Sequence, residues 1–134
     1  MVKWMFILSL FALTAAVNAG VPVTTETNGT FPADAGDAAV VAVHRIVQEA
    51  LTNVARHAGS AATTIRLDHH DDHIAVEIEN GRPSGGVRAV ASTGVGIVGM
   101  RERAESLGGR LEAGPTPDGG FRVSAVVPYY RHGA

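Results

Sequence analysis

The chain has 134 residues, one domain's worth, of which 46% are apolar and 18% charged, a balance that excludes a disordered chain. A net charge of −2 leaves no basic footprint for nucleic acid or anionic lipid, so neither is expected as a partner. With no cysteine there is no disulfide framework, zinc–thiolate site or thiol nucleophile, and with 5% aromatics the core falls to Val, Ile, Leu and Ala.

Residues 1–20 differ in kind from the rest. Lys3 precedes an apolar run from Trp4 to about Ala16, and Val17-x-Ala19 follows before Gly20, which is the grammar of a signal peptide. The run falls short of the roughly 20 residues that span a bilayer. A packed surface helix would show a polar stripe, and this segment shows none. The expected division is therefore a signal-like segment at 1–20 and one domain at 21–134.

Val21 to Glu26 alternates weakly and reads as an edge strand, where Pro22 is tolerable. Asn28-Gly29-Thr30 has the form of a glycosylation sequon but reads better as a polar turn. Asp37 is the expected N-cap of a helix over 38–57, whose apolar residues Val40, Val43, Ile46, Val47, Ala50, Leu51 and Val54 recur with helical period. Gly59 suits a left-handed cap.

Two period-two runs, 64–67 and 74–79, flank a polar stretch at 68–73 and predict a hairpin. Residues 80–93 are rich in Gly, Pro and Ser and read as a loop. A second helix is expected from Val95 to about Leu107, stopped by Gly108-Gly109, then strands at 110–113 and 121–127 joined through Pro117-Asp118-Gly119-Gly120. Sequential hairpins exclude a doubly wound parallel sheet. The order predicts an α/β two-layer sandwich, an antiparallel or mixed sheet with helices on one face.

Three constellations carry chemistry. Glu49, Asn53 and His57 fall at i, i+4 and i+8 and share a stripe beside the apolar one. A carboxylate and an amide one turn apart can hold Mg²⁺, which prefers oxygen ligands and keeps several waters. On spacing alone a solvated helix face is the better explanation of them. Gly94-Val95-Gly96-Ile97-Val98-Gly99 places GxGxxG at a helix start, where free N–H groups and the helix dipole suit phosphate. A loop rather than a parallel βαβ strand precedes it, so a dinucleotide fold is not implied. Third, Glu79-Asn80-Gly81 ends a strand, where a polar side chain can accept a hydrogen bond from an adenine amino group. His69, His70 and His73 with Asp71 and Asp72 suggest a metal site, but they fall in the expected turn, where solvated polar residues belong.

RIVQEALTNVARHAG followed by a hairpin, a Gly-rich loop and GVGIVGMRERAESLGGRLEAGPTPDGGFRVSAVVP resembles the ATPase domain of sensor histidine kinases over roughly residues 38–128. The resemblance is to the subgroup paired with response regulators bearing helix-turn-helix output domains, and it implies the Bergerat ATP-binding sandwich.

By that resemblance, Asn53 is the residue that coordinates Mg²⁺ on the ATP phosphates. Glu49 is the upstream acid that positions water or the metal, and His57 lies near the phosphates. Gly94, Gly96 and Gly99 are the second glycine box. Ile97 and Met100 line the nucleotide pocket with Arg101 beside them, and residues 82–93 are the ATP lid. The family's adenine-reading Asp is replaced here: strand register puts Asn80 at that position, whereas alignment on Gly81 puts Glu79 there. The implied function is a catalytic domain that binds ATP and Mg²⁺ and donates the γ-phosphoryl group to a His. That His belongs to a dimerisation domain for which residues 21–37 leave no room, and a response regulator is the onward acceptor.

Such a domain is expected in the cytoplasm and makes no membrane contact itself, although a working signal at 1–20 would imply secretion. The alternative is a non-catalytic nucleotide-binding or interaction module with a degenerate first glycine box. An anti-sigma-type serine kinase and a secreted non-enzymatic protein are further readings.

Overall fold

In the computed structural model, residues 22–59, 61–83 and 95–130 are described; the signal-like segment at 1–20, Gly94 and residues 84–93 of the lid expected at 82–93 lie outside them. The elements run β1 (Val23–Asn28), α1 (Asp37–His57), β2 (Thr63–His69), β3 (His73–Asn80), α2 (Val95–Glu105), β4 (Arg110–Pro115) and β5 (Phe121–Pro128). They form one five-stranded sheet in the order β1-β2-β3-β5-β4.

Connection length explains this topology. A parallel pair needs a long crossover, and α1 supplies one between β1 and β2, which pair in parallel with Val23 opposite Thr63. Short turns make the β2–β3 and β4–β5 pairs antiparallel, and β5 then pairs antiparallel with β3. The sheet is mixed and mostly antiparallel, as the sequence predicts.

Both helices lie on one face. The strand pleat sends Ile65, Leu67, Ile74, Val76, Ile78, Val123, Ala125 and Val127 toward them, where Val43, Ile46 and Val47 of α1 are completely buried. Each such Val, Ile or Leu side chain contributes about 1.5–3 kcal/mol on burial. The opposite face carries an ion-pair ladder: Arg66 meets Glu26 at 3.0 Å and Glu77 at 2.8 Å, and Arg122 meets Glu79 at 2.7 Å. These side chains are exposed, so solvent screens the pairs and little of the stability rests on them.

The helix boundaries differ from expectation in one instructive place. Gly36, not Asp37, is the N-cap of α1, and Asp37 is the first helical residue. The cause is tertiary: the Gly36 N–H donates to the Tyr129 carbonyl at 2.8 Å, which fixes where the helix begins. Gly59 does adopt a left-handed conformation, with φ of 62°. The polar turn between β2 and β3 is shorter than its composition suggests, so His69 and His73 belong to strands.

The end of the sheet at which α1 begins is closed by an aromatic clamp. Phe31 meets His69 edge-on at 4.7 Å and Tyr129 at 5.6 Å. The Tyr129 hydroxyl and His69 Nδ1 are 2.8 Å apart, and the Tyr129 N–H donates to the Asp72 carbonyl. Burial pushes the Tyr129 phenol up to about 12 and holds the His69 imidazole below its ordinary value of 6.5, which favours the neutral form of both partners. Burial also lowers His44, helped by neighbouring Arg45.

A lowered histidine has a definite linkage sign. Below pH 6.5 the unfolded chain takes up protons that folded His69 and His44 resist, so stability falls with acidification until the lowered folded values are passed. Urea midpoints are therefore expected to drop between about pH 7 and 5. The His44→Gln/His69→Gln double variant should show a visibly flatter slope over that range.

Candidate functional site

The other end of the sheet, where α1 finishes, gathers the residues that the sequence singles out. Burying the apolar stripe of α1 turns Glu49, Asn53 and His57 toward its flank, each half-buried. The first turn of α2 lies directly on that flank. A side chain at Gly96 would place its Cβ 2.7 Å from Glu49 Oε1 and 3.4 Å from Asn53 Nδ2. Glycine is therefore what allows the α2 backbone to approach the carboxylate and the amide together. The first turn of α2 contains no acidic residue, so its positive end is not offset by its own side chains.

Gly99 is a different case. A Cβ there would meet nothing within 4 Å. Glycine inside a helix costs about 1 kcal/mol relative to alanine, and no packing among the described residues accounts for it. Ile97 is half-buried against the core and Met100 is almost fully buried within it. Arg101 reaches sideways, its Nε donating to the Leu111 carbonyl at 3.2 Å, which ties α2 to the edge strand β4.

On the sheet, the pleat separates the two residues that compete for the β3 terminus. Asn80 faces the helices and is 7% exposed, whereas Glu79 points to the open face and binds Arg122 at 2.7 Å. Asn80 Nδ2 donates to the Gly81 carbonyl at 2.8 Å, which fixes the orientation of the amide. Asn80 stands in register with Thr63 on β2 and Phe121 on β5. The β4–β5 turn closes beside it: Gly120 N–H donates to Thr116 Oγ1 at 3.0 Å, and a Cβ at Gly120 would collide with the Asn80 carbonyl. Thr63, Asn80 and Thr116 are the buried polar side chains of the described residues, and all three cluster at this end. Thr63, Phe121 and Thr116 give no motif in the sequence; only strand register reveals them.

The histidine group of the β2–β3 turn is dispersed. His69 turns into the aromatic clamp, His70 stacks on His73 at 4.5 Å, and His73 Nδ1 lies 2.6 Å from Asp72. Among the described residues, no group of three or more His, Asp or Glu side chains is placed to enclose a metal ion. A shallow depression of about 280 Å³ on the open face, lined by Arg66, Glu77, Arg110 and Ser124, lies across the sheet from Glu49 and Asn53.

Comparison with known proteins agrees with this fold. Residues 38–131 match the family described as histidine kinase-, DNA gyrase B-, and HSP90-like ATPase. Sensor histidine kinase LnrJ of Bacillus subtilis is 39% identical over 114 residues, covering 81% of this chain and 26% of LnrJ. Sensor protein VraS of Staphylococcus aureus is 31% identical over 84 residues, 63% of this chain and 24% of VraS. The chain thus spans about a quarter of the length of these relatives.

Two solved structures share the fold at low identity. The mycobacterial sensor histidine kinase MprB has a TM-score of 0.63 at 16% identity, covering 91% of this chain and 92% of that one. The catalytic domain of histidine kinase ThkA has 0.66 at 14% identity, covering 95% and 91%. The chain belongs to the histidine kinase-, DNA gyrase B- and HSP90-like ATPase family, as an ATPase domain of the sensor histidine kinase type.

Proposed function

We propose that residues 21–134 bind ATP with Mg²⁺ and donate its γ-phosphoryl group to a histidine of a dimerisation domain, for onward transfer to a response regulator. The observation that carries this reading is the seat of Gly96 on Glu49 and Asn53, with Asn80 buried at the same end of the sheet. ThkA, which shares the fold, has been solved with the response regulator protein TrrA. The subgroup paired with helix-turn-helix regulators and a cytoplasmic setting belong to the same reading.

The residues fit the groups required. Mg²⁺ takes oxygen ligands, keeps waters and is commonly held by one or two side chains plus substrate phosphates, so a full protein cage is not needed. Asn53 would hold it through Oδ1, with Glu49 positioning a water or the metal and His57 near the phosphates. When bound, the ion neutralises charge on the phosphoryl oxygens. Gly96 and Gly99 leave the N–H groups of the first turns of α2 unscreened by side chains, which suits phosphate, and Gly94 joins them in this reading through the sequence motif alone. Ile97, Met100 and Arg101 support the wall of that pocket.

In the transfer, a nitrogen of the acceptor imidazole bonds to the γ-phosphorus as the bond to the β–γ bridging oxygen breaks, and ADP leaves. The contribution of this chain is positioning and fixed dipoles.

Asn80 reads the base. Gly81 takes one of its two amide N–H donors and orients the group, and Oδ1 is the acceptor it offers to a base amino group. The second reading, a binding module without chemistry, draws on the same residue, because a neutral acceptor binds less strongly than a carboxylate.

Calorimetric titration of the full chain with a non-hydrolysable ATP analogue should show Mg²⁺-dependent binding. Asn53→Ala should weaken it about tenfold or more with the urea midpoint unchanged; equal affinity in the variant sinks the assignment. The guanine analogue should bind about tenfold more weakly than the adenine analogue, and parity would remove Asn80 from base reading. Gly99→Ala should raise stability by up to about 1 kcal/mol while reducing nucleotide affinity. Binding without phosphorylation of a supplied dimerisation-helix fragment would favour the module.

A further inference from the structure

We infer that Phe121 is a nucleobase-contacting residue of this site, supplying an aromatic face beside the hydrogen-bonding edge of Asn80. The inference rests on the nucleotide-binding reading above and adds a residue that the sequence motifs do not mark.

The argument begins with register. Phe121 opens β5 and stands opposite Asn80 on β3 and Pro115 on β4. Its side chain shares the helix-facing side of the sheet with Val123, Ala125 and Val127, which alternate along β5 and are buried. Phe121 itself is only half-buried, packed against the margin of the core. The last row of the sheet beneath the helices therefore reads Thr63, Asn80, Phe121 across three strands. Two buried polar side chains stand next to one partly open aromatic ring. A flat ligand with apolar faces and a polar edge, which describes a purine, matches that row.

The backbone that leads into Phe121 is fixed on both sides. Gly120, immediately before Phe121, closes onto the Asn80 carbonyl in a contact that admits no side chain, and its N–H is fixed by Thr116. Phe121 and Asn80 are thus coupled through the backbone as well as through the sheet ladder. The aromatic clamp of Phe31, His69 and Tyr129 belongs to the opposite end of the sheet, so Phe121 is not part of it. A residue needed only to finish the core margin would serve equally as leucine.

That difference supplies the test. In the full chain, Phe121→Leu keeps apolar bulk and removes the aromatic face, while Phe121→Tyr keeps the face. Calorimetry with Mg²⁺ and a non-hydrolysable ATP analogue is compared with Mg²⁺ and inorganic tripolyphosphate, which has no base. Phe121→Leu should weaken the nucleotide roughly tenfold, leave tripolyphosphate unchanged, and be rescued by Phe121→Tyr. Unchanged nucleotide affinity in Phe121→Leu overturns the inference, as does an equal loss for both ligands, which would mark a purely structural role. Failure of the unsubstituted chain to bind nucleotide would overturn the site itself, and this inference with it.

Discussion

Everything at the candidate site depends on how α1 is rotated about its own axis. That rotation is set by burial of one apolar stripe, from Ala39 to Val54, against the sheet. With several fully buried aliphatic side chains, the stripe outweighs any single polar contact on the helix. Once it is buried, Glu49 and Asn53 have only one direction to face, and α2 can approach that flank only where it lacks a side chain. The polar geometry is a by-product of the apolar packing, and it persists for as long as the core does.

The sheet imposes the complementary constraint. Its pleat decides that Asn80 faces the helices and Glu79 the open side, where Arg122 binds it. A one-residue slip of β3 would exchange them and would also expose Ile74, Val76 and Ile78, so the hydrophobic core enforces the placement of the amide. Asn80 thereby combines a neutral side chain with a buried position, an arrangement free of the cost of burying a charge.

Much of this was legible in the sequence because it depends on local periodicity. The helical spacing of α1, the alternation in β2, β3 and β5, and the left-handed Gly59 all follow from neighbours within a few residues. The features that escaped depend on distant partners. Gly36 caps α1 because the Tyr129 carbonyl reaches it from the far end of the chain. His69 leaves the turn because Tyr129 and Phe31 receive it at the end of β2. The parallel pairing of β1, almost wholly exposed, leaves little trace in composition. Phe121 has no motif around it and becomes conspicuous only when β5 is set beside β3.

The aromatic clamp also has a mechanical meaning. It fixes the first turn of α1 to the sheet through Gly36, while Glu49 and Asn53 lie near the other extremity of a 21-residue helix. From the rise of about 1.5 Å per residue, Asn53 stands roughly 24 Å along the axis from that anchor. Pivoting there by about 5° would carry its amide some 2 Å, the difference between a made and an unmade hydrogen bond. The helix is a lever whose fulcrum is at the end remote from the chemistry, so small rotations are magnified where they matter.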